Sequence, residues 1–413
     1  MRVSVDWRLS DPSLDTAQPS SQRQLAVALS ALPEGGGGGA AVNLCLVLDR
    51  SGSMGGRALE TVKAAVGEIL ERLSPRDRIS IVTFDHRAEV LVDNQPASDP
   101  TAIQRQVATL QAGGGTAIDE GLKFGIEAVA KGKTDGTVSQ IFLLTDGENE
   151  HGDNARCLKI AQLAAGYGIT VSSLGFGDHW NQDVLEQIAD AGGGSLTYIQ
   201  RPESAVAAFT ALFDRVQSVG LTNAHLQLTL QPGVRLAELK PIAQVQPDTI
   251  ELDVQKNGSE ATVRLGDLMV DIARVVLVNV YLEPLTAGTH PIATVQVSYD
   301  DPTQGRADLL SERLTVEVTA LPTYQPAPDP VVQRYILALA KYRQTQIAES
   351  KLKAGDRQGA VTMLQSAAKT AIQMGDQGAA TVLQENATQL QAGKDLSESA
   401  RKQTRIVSKT QLQ

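Results

Sequence analysis

Four apolar runs, Val42 to Leu48, Arg78 to Phe84, Gln140 to Thr145 and Ile169 to Gly175, recur between residues 42 and 175. An apolar run without alternation is how a parallel strand covered on both faces reads. Between the first two runs, Ala58, Leu59, Val62, Val66, Ile69, Leu70 and Leu73 repeat at three and four, the spacing of one face of a helix. Strand and helix alternate, so the chain is constrained to a doubly wound, mostly parallel α/β sheet. Ligands of such sheets bind beyond the carboxyl ends of the strands.

Three oxygen-bearing turns stand at or near such ends: Asp49-Arg50-Ser51-Gly52-Ser53, Gly113-Gly114-Gly115-Thr116 and Leu144-Thr145-Asp146-Gly147. Each alone has a plainer meaning. Asp-x-Ser-x-Ser fits a helix N-cap, Thr116 fits the cap of a helix from Ala117 to Val129, and Asp-Gly is a common turn pair. Together, Asp49, Ser51, Ser53, Thr116 and Asp146 supply short oxygen donors for a hard divalent cation such as magnesium, which wants six oxygens in a tight octahedron. Two carboxylates and three neutral hydroxyls leave that ion less neutralised than three or four acids would, so it is expected still to attract an anionic ligand from outside.

The triplet DRSGS, GGGTA and LLTDG resembles the metal-ion-dependent adhesion site of von Willebrand factor A domains. SPRDRISIVTFD, GITVSSLGFG and NQDVLEQIADAGGGSLTYI extend the resemblance over about residues 40 to 219, especially to the bacterial and inter-alpha-trypsin-inhibitor-heavy-chain branches. The resemblance implies a Rossmann-like sheet and a bound magnesium, or manganese or calcium. It assigns Ser51, Ser53 and Thr116 as hydroxyl ligands, with Asp49 and Asp146 as acids acting through water. It also implies a non-enzymatic, cation-dependent module whose protein partner offers an Asp or Glu to the metal. Similar bacterial domains occur beside ATPases, as in the chelatase that inserts magnesium into porphyrins, so an adaptor subunit of an ATPase-driven machine is the alternative.

At 413 residues the chain has room for about two to four domains. A net charge of -10 disfavours nucleic acid, which is held by basic patches, and 4% aromatic content leaves few base-stacking platforms. No apolar stretch approaches the roughly 20 residues of a membrane span. The start, Met1 to Trp7, is polar and alternating rather than signal-like. Cys45 and Cys157 read as reduced packing residues, and the expected compartment is the cytoplasm.

Residues 1–34 contain two alternating segments, Arg2 to Ser10 and Gln24 to Leu32, that read as strands, and Gly35 to Gly39 reads as a flexible joint. Residues 221–322 hold short alternating strands separated by turn pairs such as Pro232-Gly233 and Asn257-Gly258, the pattern of a β-sandwich. The N-terminal strands are expected to complete it, which makes the α/β unit (40–219) an insertion. Residues 323–330 form a proline-rich, semi-rigid linker. Residues 331–393 return to helical periodicity, and Gly355-Asp356 and Gly375-Asp376 each join a helix stop to an N-cap, the mark of a helical hairpin or small bundle. Residues 394–413 are polar and basic; they read as a solvated, mobile tail or a docking peptide switched by phosphorylation at Thr404 or Ser408.

Other chemistry is poorly served. Among five histidines, His151 lies nearest in sequence to the cation turns and reads as a loop residue; with Glu148 it would be the base of a metallohydrolase. No Gly-x-Ser-x-Gly elbow or phosphate loop is formed.

Overall fold

The computed structural model describes residues 1–34 and 39–409. Most of the glycine joint read at 35–39 therefore lies outside the described residues. The N-terminal strands β1 (Arg2–Leu9) and β3 (Ser21–Leu32) pair antiparallel, and β3 pairs along its length with β16 (Arg274–Leu282), Ser21 opposite Leu282 and Leu29 opposite Arg274. With β12 (Ile242–Gln246), β13 (Ile250–Glu251) and β11 (Val234–Leu236) they make one sheet, in the order β1-β3-β16-β12-β13 with β11 on β16.

The second sheet runs β14 (Val254–Asn257), β15 (Glu260–Met269), β10 (Val219–Leu230), β17 (Gly288–Asp301), β19 (Leu314–Leu321), β2 (Ser13–Asp15), with β18 (Arg306–Leu310) on β17. Strand β2 has only three residues, too few for alternation to reveal it, and it is held by parallel pairing to β19. Alternate residues of both sheets, among them Leu25, Val27, Leu226, Leu228, Val276, Val278, Val295 and Val297, fill one shared core.

The α/β unit is inserted between β3 and β10. Its sheet has the order β6-β5-β4-β7-β8-β9: β4 (Ala41–Asp49), β5 (Arg78–Phe84), β7 (Thr137–Thr145), β8 (Ile169–Phe176) and β9 (Gly193–Ile199) are parallel, and the edge strand β6 (Ala88–Pro96) is antiparallel. The unbroken apolar run in β4 is explained by its two covered faces. Leu44, Leu46 and Leu48 share a core with α1 (Arg57–Arg72), α2 (Pro100–Ala108) and α6 (Ala205–Gln217). Cys45 and Val47 share the other with α3 (Ile118–Ala130), α4 (Asn154–Gly166) and α5 (Gln182–Gly192). Each fully buried leucine contributes about 2 kcal/mol of burial, so this double cover fixes the strand ends rigidly.

Four helices follow: α7 (Pro330–Lys353), α8 (Arg357–Met374), α9 (Gln377–Gln391) and α10 (Glu398–Lys409). Asp329, Asp356 and Asp376 cap the first three through their carboxylates, and Gly355 and Gly375 turn the preceding chain with φ of +79°. The segment before α7 is strapped to the sandwich: Asp11 accepts from the Tyr324 hydroxyl at 2.7 Å and from the Ala327 N–H at 2.9 Å.

The expectation of a mobile polar tail from residue 394 is corrected by α10. This helix docks because Arg405 and Lys409, one turn apart, meet Glu186 on α5, and Lys409 also meets Asp190 at 2.9 Å. Val407 and the preceding Leu396 join the apolar core of the bundle. The polar residues that read as solvated are paired across an interface that a one-dimensional pattern cannot display. Ser408 is buried, its hydroxyl donating to the Arg405 carbonyl at 2.6 Å, and Thr404 accepts from Asn386 at 2.6 Å.

Candidate metal centre

Strand β4 ends at Asp49, whose carboxylate is completely buried. Its Oδ1 accepts from the Ser51 N–H at 2.7 Å, an Asx-type turn, and its Oδ2 accepts from the Thr145 hydroxyl at 2.5 Å at the end of neighbouring β7. Ser51 and Ser53 place their hydroxyls 3.0 Å apart, and Ser53 donates to Asp146 Oδ1 at 2.7 Å. A chain of polar contacts thus joins Asp49, Ser51, Ser53 and Asp146 across two adjacent strand ends.

Thr116 comes from the loop before α3, which is stitched to the first turn by backbone bonds: Gly52 N–H to the Gly114 carbonyl at 3.0 Å and Gly113 N–H to the Arg50 carbonyl at 2.8 Å. Its side chain lies against Gly147, where an added Cβ would stand 3.3 Å from the hydroxyl oxygen. The capping roles that these residues could have filled are not taken. No side-chain cap bond is made by Ser51 to the following 3-10 turn, and α3 begins after Ala117 with its Ile118 N–H donated to Asn149 Oδ1 at 2.7 Å.

Burial dominates the electrostatics. It pushes the Asp49 carboxyl up from 3.8 to about 6, against the hydrogen bonds from Thr145 and Ser51, and nearby Asp146 adds to the rise. Burial also pushes Asp146 up, opposed by bonds from Ser53 and Ser51 and by His179. Two carboxyls strained toward neutrality, beside hydroxyls not committed to helix caps, fit a hard cation held by oxygen. Among the described residues no cluster of three or more His, Cys, Asp and Glu side chains offers a softer site.

The sequence singled out all five residues but missed their supports. Thr145 holds Asp49 from β7, Asn149 frees Thr116 by capping α3 itself, and Arg50 pins the first turn outward through Asp85 at 3.0 Å and Glu89 at 3.1 Å. Thr145 carried a readable signal, a hydroxyl one residue before Asp146 at a strand end; the reach of Asn149 over 31 residues did not. His151 is exposed but not remote: its N–H donates to the Thr116 carbonyl at 2.9 Å, and its ring lies against Gly115.

Residues 43–212 match the von Willebrand factor type A domain, and residues 330–413 match the Sll0103-like, C-terminal alpha-helical domain. A Synechocystis sp. protein called uncharacterized protein sll0103 is 57% identical over 413 residues, covering 100% of this chain and 98% of that one. The chain therefore belongs to the family of von Willebrand factor A domain proteins with an Sll0103-like helical domain. The solved von Willebrand factor type A protein from Catenulispora acidiphila superimposes with a TM-score of 0.83 at 18% identity, over 99% of this chain and 97% of that one, a likeness of fold. Human inter-alpha-trypsin inhibitor heavy chain H4 is 28% identical over 194 residues, 44% of this chain and 20% of that one. No helix among the described residues is long and apolar enough to cross a membrane.

Proposed function

We propose that this chain is a divalent-cation-dependent protein-binding module without a catalytic step. Magnesium, or manganese or calcium, is held by the hydroxyls of Ser51, Ser53 and Thr116, with Asp49 and Asp146 orienting bound water, and the partner supplies an Asp or Glu. The observation that carries this reading is the buried Asp49 and the half-buried Asp146, joined through Ser51 and Ser53 at two strand ends and both pushed toward the neutral form. A cation there offsets the cost of the buried Asp49 carboxylate and draws no charge from three of its donors, which favours an external carboxylate. Two buried, unpaired thiols suit a reducing compartment, and the proposal places the protein in the cytoplasm.

The test is capture of a partner from native lysate on the immobilised chain in magnesium and in chelator, repeated with Asp49→Ala. Capture in magnesium alone, lost in the variant, is the expected result. A partner retained equally in chelator and by Asp49→Ala refutes the proposal.

A further inference from the structure

At the amino end of β9, away from the strand ends that carry Asp49 and Asp146, a cavity of about 360 Å³ lies between the α/β unit and the sandwich. Arg264 of β15 and Arg274 at the start of β16 line it, together with Gly193, Gly194 and Gln244. Arg274 is 8% exposed; its terminal nitrogens donate to the Gln244 side chain and, at 3.0 Å, to the Asp267 carbonyl. The buried Nε of each arginine has no acceptor. Among the described residues neither guanidinium has a carboxylate within ion-pair distance.

Asp267 is the acid that both feel, but its carboxylate is engaged elsewhere: Oδ2 accepts from Gln140 at 2.7 Å and from Thr170 at 2.8 Å, tying β15 to β7 and β8. Arg215 nearby pairs with Asp248 at 3.6 Å. The carboxylates on the opposite wall are already matched, Asp190 by Lys409 and Glu251 by Lys240 and Arg343, while Asp253 is exposed to water. One cation is therefore left over in a desolvated seam, and burial pushes Arg274 down to about 10 and Arg264 down as well. An uncompensated buried charge is expensive, and a guanidinium is suited to grip an oxyanion. The chain also leaves room for it: a Cβ on Gly193, which has φ of +72°, would stand 2.7 Å from Arg264 Nη1.

We propose that this cavity, between the α/β unit and the sandwich, binds a small oxyanion, the carboxylate or phosphate group of a small molecule, through Arg264 and Arg274. The test is thermal unfolding and calorimetric titration of the full chain with inorganic phosphate and with malonate, against chloride at equal ionic strength. The expected result is saturable binding and a raised unfolding midpoint with at least one of the two, absent with chloride. Response to phosphate alone or to malonate alone supports the site and distinguishes the two sources. Arg264→Gln is expected to weaken binding at least tenfold while keeping its response to magnesium, which separates this site from the strand-end site. In anion-free buffer the same variant is expected to unfold no earlier than the native chain, because a desolvated charge has been removed. No saturable binding of either anion, or equal binding by Arg264→Gln, overturns the proposal.

Discussion

Replacing Asp49 with Asn removes one charge from the end of β4 while keeping its shape. Asn retains an acceptor for the Ser51 N–H, now at 2.7 Å, and turns its amide toward the Thr145 hydroxyl, which can accept as well as donate. The substitution keeps the Ser51 bond and reverses the Thr145 bond, leaving the buried Thr145 hydroxyl proton without its present acceptor. Burial has raised the folded-state value of Asp49 above the ordinary 3.8 to about 6. For an acid raised in this way, stability is greatest below about pH 4 and is lost as pH climbs through 6. The gap between 3.8 and about 6 amounts to about 3 kcal/mol at pH 7 for the metal-free protein, at about 1.4 kcal/mol per pH unit. In chelator, Asp49→Asn should accordingly be more stable than the native chain by about 1 to 3 kcal/mol. Magnesium should reverse the order, since a ligand at about a hundredfold its dissociation constant adds about 2.7 kcal/mol to the chain that binds it. Urea unfolding at pH 7 reads both effects through Trp180, buried in the α/β unit, with Trp7→Phe removing the signal from the sandwich. A variant less stable than the native chain in chelator, or one that gains as much from magnesium, would refute the reasoning.

Gly114→Ala should weaken magnesium binding by at least about tenfold, about 1.4 kcal/mol, because Gly114 has φ of +83° and its Cβ would stand 3.0 Å from Asp85 Cβ, displacing the loop that carries Thr116. Titration calorimetry checks this, and unchanged affinity contradicts it. Arg405→Ala leaves Glu186 one buried ion-pair partner short and should cost the docking of α10 about 3 kcal/mol, read as faster tryptic cutting at Arg401. Equal protection would show that Lys409 and the apolar contacts suffice. Cys45 and Cys157 are buried and both thiols are pushed up to about 12, so neither should react with an aromatic disulfide at pH 8 until urea unfolds the chain; labelling of the native protein contradicts the packing.

The α/β fold was legible because a doubly covered strand leaves an unbroken apolar run, as Val42 to Leu48 does, and Asp49 and Asp146 stand where two such runs stop. The sandwich was legible from alternation, and Asp356 and Asp376 announced the caps of α8 and α9. What failed to register was pairing between distant polar groups. Helix α10 looked solvated since its cations are matched by Glu186 and Asp190, more than 200 residues earlier. Strand β2 was too short for periodicity, and Asn149 acts through a contact 31 residues away that residue type alone does not encode. The cavity arginines were equally silent, for Arg264 and Arg274 occupy ordinary positions in strands and acquire meaning only from the carboxylates they lack.

Diffraction from crystals soaked in manganese, collected for the anomalous signal of that metal, locates the cation. One strong peak is expected at about 2.2 Å from the hydroxyl oxygens of Ser51, Ser53 and Thr116, with Asp49 and Asp146 reached through water. A well-ordered loop around Thr116 with no anomalous density among those five side chains would contradict it.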